Sequence, residues 1–412
     1  AGRNNRTGTY NTTVGYEAGM HATGSSNSFV GYQAGKGGTT SAPYSSGGNN
    51  TALGYGALTA FTTAVDNVAV GYNALGDTST GTGNIAIGRD AGADITTGAY
   101  GIYIGHNAGG DNLLGNMNVF VGFEAGRAAA DSVAYSVAIG AYAGRATEVN
   151  TNLAIGYSAM KVHTTGARNI AIGYGAMDDT DAGSNSLNSS DNIFIGNGAG
   201  GGTWTDVLSQ YNIGIGSSVL DAALDGADYN IMIGYSAGTS VTTAEKSIGI
   251  GGSALYSATT STLNTAVGFE AGVSLTTGAG QNVFLGYQAG RQATTTTYSV
   301  FIGASAGYNQ SIGSNGNVHI GWASGQYASG SNNTFVGQEA GQGGTTSAPF
   351  SSGEGNTAIG KAALDKFTTG DNNVAVGINA LGALTTANNN IGIGQGAGYL
   401  ITTGAANVVI GS

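Results

Sequence analysis

The segment Asn67-Val68-Ala69-Val70-Gly71-Tyr72-Asn73-Ala74-Leu75 decides the fold, because it returns 17 residues later as Asn84-Ile85-Ala86-Ile87-Gly88-Arg89-Asp90-Ala91-Gly92. The unit Asn-[VIT]-x-[VIL]-Gly-x-x-Ala-[GLM] recurs along the whole 412-residue chain. Its glycine stands at 23 anchors from Gly15 to Gly411, in 22 steps covering 396 residues, a mean of 18. Most steps are 16 to 18 residues, with three of 23 and one of 20. A period of this kind marks a solenoid, in which one coil buries too little to be stable and stacking supplies the core.

Within each unit the residues one and three places after the Asn are β-branched or leucine almost throughout, as at Val68 and Val70, Ile85 and Ile87, Ile170 and Ile172, and Val374 and Val376. Such alternation is the pattern of a strand with one face in a core. The recurring glycines exclude helix. The fold class expected is all-β: a parallel β-solenoid or β-roll of about 22 coils averaging 17–18 residues, with the Val and Ile pairs pointing inward. Neighbouring coils pairing at ~4.8 Å would make a rod roughly 105 Å long. The Asn position (Asn67, Asn84, Asn118, Asn169, Asn282, Asn317) is expected to stack as a ladder of amides bonding coil to coil.

Composition sets the function classes aside one by one. Charged residues are only 8% of the chain, yet 41% are hydrophobic and these are strictly periodic, which excludes disorder. The net charge of −11 leaves no basic groove for nucleic acid. No run of 18 apolar residues provides a membrane span in this segment. The first residues, Ala1 to Arg6, carry neither an initiator Met nor a leader-like stretch, which suggests a mature product or a length cut from a longer array. Without cysteine, stability has to come from backbone pairing and core stacking.

The residue between the two β-branched ones would then face away from the coil's own core, yet none of its 23 occurrences is charged. Phe29, Ala52, Ala69, Ala86, Phe120, Ala138, Ala171, Phe194, Phe284, Phe301, Phe335 and Ala375 represent this row. An apolar row running the length of a rod exceeds what monomers expose. These twelve are therefore the expected oligomer interface, buried against the same row of another parallel chain.

Units such as Asn67 to Leu75 and Ser136-Val137-Ala138-Ile139-Gly140 resemble the head repeats of trimeric autotransporter adhesins. Longer forms, such as Asn27-Ser28-Phe29-Val30-Gly31-Tyr32-Gln33-Ala34-Gly35, resemble repeats of phage tail-fibre proteins. The resemblance implies a left-handed β-roll with Val and Ile inside and Ala near a trimer interface. It also implies an extracellular homotrimeric fibre, on a virion or a cell surface, that contributes to attachment to a host or surface.

A second repeat lies above the first. Residues 27–92 and 333–398 align without gaps at an offset of 306, with 41 of 66 positions identical. One repeat array thus covers 1–412, with side-loop insertions near 36–49, 178–191, 200–211 and 342–355. Both prolines, Pro43 and Pro349, fall in matching insertions. Loops on a rigid scaffold are where recognition concentrates, so Tyr44, Trp204, Trp322 and Phe350 are the candidates for stacking on a receptor or glycan.

Enzymatic chemistry finds no motif. His21, His106, His163 and His319 fit no zinc spacing, and no carboxylate recurs at a fixed coil position. Neither catalytic residues nor a cofactor is expected. Paired threonines such as Thr96-Thr97, Thr164-Thr165 and Thr276-Thr277 are adjacent, so their hydroxyls diverge instead of forming an ice-binding Thr-x-Thr row. The reading is a structural or adhesive fibre segment. The alternative is a direct glycan- or matrix-binding adhesin, and a polysaccharide-degrading solenoid comes last.

Overall fold

The structure is a computed structural model that describes all residues except 40–43, 112–113, 129–132, 147–149, 164–165, 181–188, 205–206, 279, 311–312 and 345–349. Pro43, Pro349, the pair Thr164-Thr165 and the middle of the 178–191 insertion lie outside the described residues. The chain forms two compact units, Ala1–Leu208 and Ser209–Ser412. Each unit is a parallel β-solenoid with one three-residue strand per coil. The first unit runs from β1 (Thr12–Val14) to β11 (Ile193–Ile195), and the second from β12 (Ile213–Ile215) to β23 (Val408–Ile410). Within each unit every strand pairs in parallel with its successor and at the same repeat position. In the first unit Val68, Ala69 and Val70 lie opposite Ile85, Ala86 and Ile87. In the second, Val374, Ala375 and Val376 lie opposite Ile391, Gly392 and Ile393.

The asparagine ladder holds this register, as expected. Asn67 is fully buried. Its backbone N–H donates to Asn50 Oδ1 at 3.1 Å, its own Oδ1 accepts the backbone N–H of Asn84 at 2.9 Å, and its Nδ2 donates to the Gly81 carbonyl at 2.9 Å. One amide thus bonds to the coil before and the coil after. In the second unit Asn356, Asn373 and Asn390 repeat the arrangement at 2.9 Å.

That ladder also fixes which way the strand faces, and it reverses the sequence expectation. Side chains alternate along a strand, so a buried Asn67 puts Val68 outside, Ala69 inside and Val70 outside. The strands show this throughout: the middle residue is buried and its two neighbours are half-buried or exposed. The expected interface residues Phe29, Ala52, Ala69, Ala86, Phe120, Ala138, Ala171, Phe194, Phe284, Phe301, Phe335 and Ala375 are therefore core, each 2% exposed or less. They form no outer stripe. The paired Val and Ile residues, expected inside, line the outer face.

The core accommodates side chains of very different size at the middle position because a second residue, six places later, compensates. Ala69 is followed by Leu75, Ala154 by Met160 and Ala375 by Leu381, and all three larger residues are fully buried. Where the middle residue is aromatic the later residue is glycine: a Cβ on Gly126 would lie 2.6 Å from the Phe120 ring. Coils with two small residues add a third filler, as Ile95 does for Ala86 and Gly92.

The anchor glycine has its own cause. Gly71 has φ of +138°, and a Cβ there would fall on the Gly88 carbonyl of the next coil, so both the backbone conformation and the close approach require glycine.

The compensation is testable by a double-mutant cycle. Phe120→Ala is expected to cost about 3–5 kcal/mol, and Gly126→Leu alone to destabilise by overpacking. The double variant rebuilds an Ala/Leu coil and should recover most of the loss, read as a favourable coupling in urea denaturation.

Candidate interaction surfaces

The outer face of the sheet presents two columns, the residues one and three places after the Asn. In the first unit they run from Thr12 and Val14 through Val68 and Val70 to Ile193 and Ile195. They hold Val, Ile, Leu, Thr and one Ser, and no charge. Ile85 and Ile87 are 37% and 41% exposed. The second unit carries the same columns from Ile213 and Ile215 to Val408 and Ile410. With strands about 4.8 Å apart and side chains about 7 Å apart along each strand, eleven coils make a flat apolar face of roughly 500 Å2. That is at the upper end of what a soluble monomer exposes.

Beside this face, the residue after each anchor glycine forms a column of its own. Tyr16, Tyr32, Tyr55 and Tyr72 stack ring on ring with centroids 5.0, 4.7 and 5.1 Å apart and planes within 12°. Tyr157 and Tyr174 stack likewise at 5.2 Å, and in the second unit Phe269 and Tyr287 at 5.9 Å. The coil pitch sets these distances, and offset stacking stabilises the column.

The four candidate ligand residues have different fates. Trp204 is fully buried; its indole N–H donates to the Gly200 carbonyl at 3.1 Å and its ring meets Phe194 edge-on at 5.8 Å. Trp204 is a core residue, which corrects the expectation that it stacks on a ligand. Trp322 is 53% exposed on the column after the anchor glycines. Tyr44 and Phe350 are half-buried and occupy matching places: Tyr44 stacks on His21 at 5.8 Å, and Phe350 on Tyr327 at 6.3 Å. The structure does not bring the four together.

Polar groups elsewhere are tied into the coils. His163 is buried, with Nε2 2.8 Å from the Gly166 carbonyl and Nδ1 2.8 Å from Thr180 Oγ1. The carbonyl can only accept, so Nε2 carries the proton and Nδ1 accepts from the threonine hydroxyl. His319 sits in the core between Phe301 and Phe335, with ring centroids 4.9 and 5.0 Å away, and neither of its nitrogens has a hydrogen-bond partner. Burial pushes His163 down to about 4 and His319 to about 3. Burial also raises the Asp94 carboxyl, with Asp111, Asp77 and Asp90 adding to the effect. Among the described residues no three His, Asp or Glu side chains are placed to hold a metal ion, and no helix is long and apolar enough to cross a membrane.

No protein-family model matches the chain, and no curated protein is significantly similar to it. The geometry of the coil is therefore what carries a functional reading. Hydropathy alone does not reveal the outer face, although one signal in the sequence does. The size exchange between residues such as Phe120 and Gly126, or Ala69 and Leu75, places the middle residue among core neighbours.

The two depressed imidazoles give a pH dependence of defined sign. Between pH 6.5 and about 4 the unfolded histidines take up protons that the folded ones refuse, so stability falls on acidification through that window. His319→Phe places in this coil the residue found at this position in both neighbouring coils and removes an unsatisfied buried polar group. It is expected to stabilise the protein by about 1–3 kcal/mol and to flatten the pH profile of the urea midpoint.

Proposed function

We propose that the chain is a segment of a structural fibre, displayed outside the cell on a virion or a cell surface, in which parallel copies associate through the outer Val and Ile columns. The observation that carries the reading is the uncharged aliphatic face of each unit, with a pair of side chains on every coil. A partner must match its pitch of about 4.8 Å to stay in contact over many coils. A second copy of the chain does so at every coil, because a rotation axis parallel to the stack sets identical coils at the same height. The long steps of 23 residues lengthen the return segment and leave the strand register intact, as between Ser28 and Thr51, so insertions do not interrupt the face. Three copies about one axis is the arrangement that the resemblance to adhesin heads and tail fibres implies.

A structural role is favoured over a catalytic one by the use made of the polar interior. The buried asparagines spend their amides on neighbouring coils, as Asn50 and Asn230 do. The fibre reading also accounts for a chain without cysteine that gains its cohesion from repetition.

Native mass measurement tests the association. The unaltered chain is expected at three times its own mass. Val68→Lys with Ile87→Lys, both on the outer face, should yield folded single chains with an unchanged far-UV spectrum. A monomeric unaltered chain would refute the proposal.

A further inference from the structure

The second unit contains an open cavity of about 430 Å3 that the fibre reading does not use. Arg291, Gln292, Thr294, Asn309, Gln310 and Phe350 line it, so it is assembled from successive coils and one inserted loop. Its volume falls within the range typical of small-molecule sites, about 300–1,000 Å3.

Asn309 is the decisive residue. It is only 6% exposed, yet its side-chain amide makes no hydrogen bond to the described residues, whereas the ladder asparagines bond on both sides. The hydroxyl oxygen of Thr294, also on the cavity wall, is buried and unpartnered. Buried polar groups are rarely left so. Two of them facing one cavity indicate an occupant that both accepts and donates hydrogen bonds, since an amide offers both.

The rest of the wall narrows the class. Arg291 is held in place: Nε donates to Glu270 Oε2 at 2.6 Å and a terminal nitrogen donates to the Tyr308 hydroxyl at 3.0 Å. Glu270 neutralises its charge, so nothing in the cavity selects for an anion. Gln310 is fixed by bonds to the Ala328 carbonyl and to Asn317, and gives a rigid polar wall. Phe350, packed on Tyr327, adds an aromatic surface. A flat apolar ring beside uncharged amides and a hydroxyl matches a neutral sugar, whose C–H face packs on the ring while its hydroxyls meet the amides.

We infer that this cavity is a binding site for a neutral saccharide of one or two pyranose units, with Asn309 and Phe350 as its principal contacts. The inference rests on the second unit alone and stands or falls independently of chain association.

The test is titration of the full chain, by saturation-transfer NMR and calorimetry. The probes are neutral mono- and disaccharides of glucose, galactose, mannose and N-acetylglucosamine, with a sialylated lactose as acidic comparison. At least one neutral probe is expected to bind, with affinity lowered tenfold or more by Asn309→Ala and by Phe350→Ala. Trp322→Ala, an exposed aromatic outside the cavity, should leave it unchanged. If Asn309→Ala fails to fold, the exposed Gln292→Ala takes its place, with a smaller loss expected. Absence of binding to every neutral probe, binding of the sialylated probe alone, or binding indifferent to the cavity variants would each overturn the assignment.

Discussion

The structure depends on one buried amide per coil. An asparagine side chain at the start of each strand accepts from the backbone of the following coil and donates to a carbonyl there, as Asn67 does with Asn84 and Gly81. An amide left unpaired inside the coil would cost about 1–3 kcal/mol. A slip of one residue would unpair the whole ladder and also exchange the inner and outer faces of every strand. Register and facing are thus the same constraint. Where the amide is missing, other groups stand in: at Ser136 and Ser247 the backbone N–H still donates to the preceding asparagine, and at Gly101 the phenol of Tyr103 fills the vacated space.

Once the facing is set, the rest of the coil has room to vary. The interior accepts Phe, Tyr, His, Met, Ala or Gly at the middle position because Leu, Met or Gly six residues later adjusts the volume. Close packing makes such exchange obligatory, since an interior tolerates neither voids nor overlap. The matching loops of the two units follow the same economy. Phe61 meets Phe29, and Phe367 meets Phe335, both at 5.6 Å. The bridges Ala22 to Ser45 and Ala328 to Ser351 recur at the offset of 306.

The period, the strand, the amide ladder and the glycine anchors are all legible in the sequence, because each is a local pattern repeated many times. The facing is not legible from hydropathy, which places Val68 and Val70 inside and Ala69 outside. The stronger argument lies in Asn67: a ladder amide must be buried, and Ala69 shares its face. The exchange between Phe120 and Gly126 gives independent support, since residues that trade volume must touch. Trp204 misleads for a related reason. Its position in a long step suggests an exposed loop, but its ring completes the core beside Phe194. The cavity around Asn309 leaves no mark in the sequence, because residues from 291 to 350 meet there only through coil stacking.

Outward Val and Ile columns and an inward middle residue are the central claim, and a chain without cysteine allows a direct test by single cysteine replacements. Under mild oxidation, Val70→Cys should form disulfides between chains, because equivalent positions on an axis-facing surface come within bridging distance of about 4.4–6.8 Å between Cα atoms. Ala69→Cys should neither cross-link nor react with a maleimide until the protein is unfolded. Rapid labelling of the folded Ala69→Cys variant, with the thiol of the Val70→Cys variant protected inside a single chain, would contradict the account.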